Sequence, residues 1–149
     1  MTTVNFRDAL GVTHAGWKVR RSHAGLHFFR RIDGLNVLIE RPATPLTSSS
    51  TAPRYVSVAL TNLCDLACSY CYAPKYRAAL DPHTLLGWLR ELDEHGCLGV
   101  GFGGGEPTLH PAFAAICRAA ATETRLAVTF TTHAHRLTER LVDALRGSV

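Results

Sequence analysis

The sequence predicts an α/β fold in which about three βα units follow a small β-rich N-terminal segment. Three short runs of apolar and β-branched residues, at 55–60, 98–102 and 126–130, alternate with segments of helical periodicity. No two of these predicted strands follow each other directly, and such alternation is typical of a parallel sheet with helical crossovers. A stretch rich in Pro, Ser and Thr at 41–53 precedes them and is typical of a linker. We therefore predict a lead-in over 1–53 and a main domain over 54–149.

The lead-in is expected to form short strands at 17–21 and 26–29, followed by a hairpin. Asp33 and Gly34 lie between the apolar runs FFRRI and LNVLIE. An Asp-Gly pair flanked by such runs is a frequent hairpin turn.

Local signals mark the ends of the predicted helices. Asp81 followed by Pro82 is typical of a helix start, and His95-Gly96 of its end. The apolar positions between them, Leu85, Leu86, Trp88, Leu89 and Leu92, recur at helical spacing. A second helix is predicted from Pro111 to about Thr122, and Thr138 is expected to cap a third.

Composition narrows the classes of function. Of 149 residues, 46% are hydrophobic and 19% charged, as in globular proteins. The chain contains no apolar stretch of membrane-spanning length and does not begin with an apolar signal region, so we expect a cytoplasmic protein without a membrane partner. The net charge of +4 is spread along the chain without a Lys/Arg run, so no nucleic-acid partner is expected.

Three of the five cysteines lie in one short segment, TNLCDLACSYCYAP, as Cys64, Cys68 and Cys71. Without an export signal, a disulfide framework is disfavoured, and this spacing indicates a metal site. Cysteine thiolates are the usual ligands of iron–sulfur clusters, and three of them leave one iron of a four-iron cluster open for catalysis. A structural zinc site would need a second ligand pair, which Cys97 and Cys117 do not form. We expect these two thiols to be buried, and a non-catalytic zinc-binding module remains the alternative.

A glycine run, GVGFGGGEPTLHP, follows the second predicted strand. Gly99, Gly101 and Gly104 match G-x-G-x-x-G, but no helix opens within the motif and no acidic residue ends the next strand, so a dinucleotide site is disfavoured. Ligands approach the carboxyl ends of strands in parallel α/β folds. At that end, Glu106 can accept a charge-assisted hydrogen bond from an ammonium group.

Over residues 54–146 the sequence resembles the radical S-adenosylmethionine (SAM) superfamily. Its CxxxCxxC signature corresponds to the cysteine segment, and its GGEP motif to residues 104–107. The resemblance implies a partial (βα) barrel and a [4Fe–4S] cluster on Cys64, Cys68 and Cys71, with SAM chelating the fourth iron. It also implies that the SAM amino group binds at Gly103, Gly104, Gly105 and Glu106. Tyr70 corresponds to the aromatic position near the adenine, or packs over the cluster.

The resemblance further implies a reaction and its partners. A one-electron donor such as a flavodoxin or ferredoxin reduces the cluster, SAM is cleaved to a 5′-deoxyadenosyl radical, and that radical abstracts hydrogen from a substrate. The SYCY segment resembles subfamilies that modify peptides or proteins. The basic residues Arg20, Arg21, Arg30 and Arg31 either hold an acidic peptide or form a solvated hairpin face.

Two features depart from the family pattern. The turn after the third strand reads Thr131-Thr132-His133-Ala134 in place of a Thr-Asn-Gly-like turn, which makes a cofactor or substrate contact by Thr132 doubtful. His133 is then either a turn residue or an acid or base at the substrate site. The family's barrel also has more βα units than the three found here. We therefore expect the chain to be a fragment, a truncated product or one half of an assembly, inactive alone.

Overall fold

The computed structural model describes residues 17–22, 25–40, 52–74 and 76–149. The chain divides into two units, Met1–Ser50 and Thr51–Val149, and each is described by itself. Most of the predicted linker lies outside the described residues, and the boundary at residue 53 stays a prediction.

The first unit contains a three-stranded antiparallel sheet in the order β1-β2-β3. Its strands are β1 (Trp17–Ser22), β2 (Gly25–Arg30) and β3 (Leu35–Glu40). The predicted hairpin is confirmed, with Arg30 paired to Leu35 across a four-residue turn. Gly34 has φ 70°, and Asp33 Oδ1 accepts a hydrogen bond from Leu35 N at 3.1 Å.

The basic residues of this unit do not form a uniformly solvated face. Arg20 is only 6% exposed, so that interpretation is wrong for its side chain. Arg30 pairs with Asp33 and lies 5.1 Å from the centroid of the Trp17 ring.

The second unit contains a parallel sheet in the order β4-β5-β6, as the alternation of elements predicts. Its strands are β4 (Tyr55–Thr61), β5 (Gly99–Gly104) and β6 (Ala127–Phe130). The β4–β5 register shifts between Ala59 and Thr61, at the point where β4 leads into the cysteine segment.

Gly99 and Gly101, two glycines of the disfavoured G-x-G-x-x-G pattern, lie against the side chain of Tyr55. A Cβ on Gly99 would lie 2.8 Å from the Tyr55 ring, and one on Gly101 would lie 2.9 Å from its hydroxyl. That hydroxyl hydrogen-bonds to Thr129 on β6. The glycines therefore make room for a tyrosine that spans the sheet.

The helices of the second unit are α1 (Pro82–Glu94), α2 (Phe113–Glu123) and α3 (Glu139–Leu145), with a 3₁₀ turn at Pro107–Leu109. Asp81 caps α1 by accepting a hydrogen bond from Thr84 N at 2.8 Å, and Thr138 caps α3, both as predicted. Helix α2 begins two residues later than predicted from Pro111. His110 Nδ1 accepts a hydrogen bond from Ala112 N at 3.2 Å, which satisfies a backbone donor just before the helix.

The hydrophobic core of this unit contains both remaining cysteines. Cys97 and Cys117 are each 0% exposed and belong to the core that also includes Leu89, Val100 and Phe102. Burial raises the pKa of the Cys117 thiol to about 12. The expectation that these thiols are buried is confirmed. Among the described residues, no helix has the length and apolar character needed to cross a membrane.

Candidate functional site

The cysteine segment forms a loop that leaves the carboxyl end of β4 and returns to it. Asn62 N donates to Ala78 O at 2.9 Å, and Leu80 N donates to Leu60 O at 2.9 Å. The Thr61 hydroxyl adds a bond to Ala78 O at 2.8 Å. These contacts close the base of the loop beside the carboxyl ends of the parallel strands, where ligands bind in such folds.

Cys64, Cys68 and Cys71 are free thiols on this loop, and each is partly exposed. Leu66 N lies 3.4 Å from Cys64 Sγ as a hydrogen-bond donor, and Cys71 N donates to Cys68 O at 3.1 Å. Cysteine thiolates are the usual ligands of iron–sulfur clusters. The donor set therefore fits such a cluster.

Cys64 also lies near two other potential metal ligands. Among the described residues, the group of potential ligand atoms within 4.8 Å of one another is Cys64, Asp65 and His133. Cys68 and Cys71 are not part of it.

The end of β5 packs directly against the start of the cysteine loop. Gly105 N donates to Thr61 O and Glu106 N donates to Leu63 O, both at 2.7 Å. A Cβ on Gly105 would lie 2.2 Å from Leu63 O, and a Cβ on Gly104, which has φ 112°, would lie 2.4 Å from Thr61 O. Glycine is therefore required here for contact within the chain.

Gly103 differs from Gly104 and Gly105, because a Cβ on Gly103 would meet no atom within 4 Å apart from those of its own chain neighbours. Contact of Gly103, Gly104 and Gly105 with a cofactor stays a prediction.

Glu106 is buried among neutral hydrogen-bond donors, with 1% of its surface exposed. Its Oε1 accepts from Thr108 N at 3.1 Å, from the Thr108 hydroxyl at 2.6 Å and from the Thr132 hydroxyl at 2.7 Å. Its Oε2 accepts one hydrogen bond, from His133 N at 3.0 Å. The carboxylate is thus held rigidly by the residues that follow β5 and β6.

The charge of Glu106 follows from the same contacts. Burial raises the pKa of this carboxyl, but hydrogen bonds from Thr108, Thr132 and His133 N lower the pKa by more, and the net value lies below the ordinary one. Glu106 is therefore ionised at neutral pH. In the part of the chain that the structure describes, His133 alone lies within salt-bridge distance of the carboxylate.

The His133 side chain lies between Glu106 and the cysteine loop. Its Nε2 is 2.8 Å from Asp65 Oδ1 and 3.4 Å from Glu106 Oε2. The hydrogen-bonded turn begins at the next residue, Ala134, which has φ 68° and whose carbonyl accepts from Leu137 N. Both sequence interpretations of His133, a turn residue or an acid or base at the substrate site, stay predictions.

Asp65 connects this turn to the cysteine loop. Its Oδ2 accepts from Arg136 Nε at 2.9 Å, and its Oδ1 contacts His133. Hydrogen bonds from Arg136 and His133 lower the pKa of the Asp65 carboxyl to about 2. The loop after β6 thus holds the cysteine loop through a carboxylate next to Cys64.

Tyr70 extends from the cysteine loop, with 88% of its surface exposed. A hydrogen bond to the Cys68 thiol raises the pKa of the Tyr70 hydroxyl. Neither the adenine contact nor the packing over a cluster predicted for Tyr70 is tested by this arrangement.

Sequence reasoning missed the contributions of Asp65, Thr108 and Arg136. A cofactor or substrate contact by Thr132, which the sequence makes doubtful, stays untested, while the Thr132 hydroxyl holds Glu106. The predicted strand order could have indicated these contacts. The carboxyl ends of adjacent parallel strands lie at one edge of the sheet, so the residues that follow them are brought together.

Comparison with known proteins identifies a family. A model of the radical SAM superfamily matches residues 58–149. No curated protein matches the chain in sequence.

Solved structures show the fold of this family. SuiB from Streptococcus suis is similar to the chain in a crystal structure bound to S-adenosylmethionine and in one bound to the precursor peptide SuiA, with TM-score 0.69 and 16% identity in each. These matches cover 88% and 87% of this chain and 44% of SuiB. BtrN in complex with AdoMet and 2-DOIA matches with TM-score 0.55 and 24% identity, over 67% of this chain and 44% of BtrN. The chain therefore spans less than half the length of these proteins.

Proposed function

This chain belongs to the radical SAM superfamily, and from that premise we propose that it binds a [4Fe–4S] cluster and SAM to abstract hydrogen from a substrate. The observation that carries this proposal is the ionised, buried Glu106 beside the cysteine loop. A buried carboxylate normally has a cationic partner. No lysine or arginine of the described residues lies within salt-bridge distance of it. The ammonium group of SAM is a cation of the required kind.

In this proposal Cys64, Cys68 and Cys71 hold the cluster. Their loop is closed at its base by backbone hydrogen bonds, and all three cysteines lie on it and are partly exposed. When bound, the reduced cluster and SAM supply the one-electron chemistry that removes a hydrogen atom from the substrate.

Glu106 orients the amino group of SAM. Its Oε1 is already occupied by three donors, whereas Oε2 has one hydrogen bond and retains acceptor capacity. Thr108 and Thr132 fix the plane of the carboxylate, so the ammonium meets a preorganised acceptor. Gly103, Gly104 and Gly105 contribute backbone beside it, and Tyr70 contacts the adenine.

We further propose a peptide or protein substrate and a flavodoxin or ferredoxin as electron donor. The substrate class is supported by the similarity to SuiB, one structure of which is bound to a precursor peptide. The SYCY segment of the cysteine loop supports the same class.

Residues 1–149 expressed alone are proposed to lack substrate turnover. The chain covers 44% of the similar solved enzymes, which supports this view. Substrate-coupled cleavage of SAM by a monomer of residues 1–149 would contradict it.

Electron paramagnetic resonance of the reduced protein tests the proposed function without requiring turnover. We expect a cluster signal that changes when SAM is added, because SAM occupies the open iron. Cys68→Ala should lose the signal. A zinc-binding module, the alternative, gives no such signal, and a cluster signal unaffected by SAM would also contradict the proposal.

A further inference from the structure

The His133 side chain lies close both to the cysteine loop, at Asp65, and to Glu106. Its backbone N donates to Glu106 Oε2 at 3.0 Å, and its ring Nε2 lies 3.4 Å from the same oxygen. The ring also lies 2.8 Å from Asp65, which is adjacent to Cys64 in sequence. With a side chain only 14% exposed, His133 is held in place from both sides.

Both ring nitrogens of His133 have close polar partners. His135 N donates to His133 Nδ1 at 3.1 Å, so Nδ1 is the acceptor. On the other side of the ring, Nε2 lies 2.8 Å from Asp65 Oδ1, the nearer of the two carboxylates. The ring is therefore held between the His135 backbone and Asp65, and Glu106 Oε2 lies next to it at 3.4 Å.

The anchoring of the ring does not depend on Glu106. Arg136 Nε holds Asp65 Oδ2 at 2.9 Å, and Asp65 in turn holds the ring. The order Arg136, Asp65, His133, Glu106 runs from the solvent-exposed surface to a buried carboxylate. Because the ring is fixed independently, its position beside Oε2 restricts where a ligand can approach that oxygen.

We propose that His133 is a positioning residue that acts through Glu106. Its ring, held by Asp65, occupies one side of Oε2 and directs the remaining acceptor position of that oxygen toward the ammonium of SAM. This role rests on the proposed function and adds to it a residue that determines the strength of the amino-group contact.

A double-mutant cycle tests the coupling between the two residues. SAM affinity is measured by calorimetry for the anaerobically reconstituted protein and for His133→Ala, Glu106→Gln and the double variant, with iron content as a second readout. We expect His133→Ala to weaken binding by roughly three- to tenfold, the effect of about one neutral hydrogen bond, with iron content unchanged. The double variant should bind no more weakly than Glu106→Gln, because His133 acts through Glu106.

Two further variants separate positioning from folding. His133→Gln retains a donor that can reach Asp65 and should restore most of the affinity, whereas the shorter His133→Asn should behave like His133→Ala. His83→Ala, at an exposed position on the first turn of α1, is the matched control and should leave affinity unchanged.

The outcomes distinguish this inference from the proposed function. Additive losses in the cycle, or a His133→Ala variant with the affinity of the unmodified protein, would overturn the role of His133 alone. An iron-loaded unmodified protein that does not bind SAM would overturn both.

Discussion

Replacing Glu106 with glutamine removes the charge on which the proposed SAM contact depends while keeping the size of the side chain. The amide oxygen is expected to take the Oε1 position, where Thr108 and Thr132 provide three donors. The amide nitrogen then lies at the Oε2 position, facing His133 N, which is also a donor. The variant therefore loses both the ionic partner of the ammonium and one backbone hydrogen bond.

The expected magnitude follows from the type of bond that is lost. A hydrogen bond to a charged group contributes about 1.5–3 kcal/mol. A tenfold change in affinity corresponds to about 1.4 kcal/mol. Glu106→Gln, like Glu106→Ala, should therefore weaken SAM binding roughly ten- to a hundredfold without removing the cluster, since the thiolates are on a separate loop.

Calorimetric titration of SAM into the anaerobically reconstituted variant measures the change, and iron content verifies that the cluster is present. Glu91→Gln is the control, because it makes the same substitution at an exposed position of α1. Equal affinities for the unmodified protein and Glu106→Gln, both fully loaded with iron, would refute the assignment of Glu106.

Three other outcomes are expected. Cys97→Ala and Cys117→Ala should keep a full complement of iron because both thiols are core residues, and loss of iron in either would make it a ligand. Gly105→Ala should lower the free energy of unfolding by about 1–3 kcal/mol, since its Cβ meets a backbone oxygen at 2.2 Å, whereas Gly103→Ala, in open space, should change it little on chemical denaturation. Because the pKa of Glu106 is lowered on folding, its ionisation stabilises the folded state at pH values above the ordinary pKa of 4.5. This stabilisation is lost as the pH falls through the folded-state pKa. Unfolding of Glu106→Gln should therefore depend less on pH in the acid range, and an unchanged acid dependence would contradict an ionised Glu106.

The elements that sequence predicts well are those with local signals. Asp81 and Pro82 start α1, and Asp33-Gly34 forms a hairpin turn, because the residues that satisfy the backbone are neighbours in sequence. The parallel sheet follows from alternation of elements in the same way.

The contacts of the site were not predictable to the same degree. His133 contacts Glu106 and Asp65, which precede it in the sequence by 27 and 68 positions. The placement of Asp65 depends on an irregular loop whose path is set by tertiary contacts. Likewise, the need for glycine at position 105 comes from a close approach to Leu63, which no local pattern reveals.

Iron and sulfide content, measured together with the ultraviolet–visible spectrum of the anaerobically purified protein, shows directly whether the chain holds an iron–sulfur cluster. We expect a brown protein with iron and acid-labile sulfide in equal amounts, and loss of both when Cys64, Cys68 or Cys71 is replaced by alanine. A colourless protein containing zinc, or a single-cysteine variant that keeps its full complement of iron, would contradict this expectation.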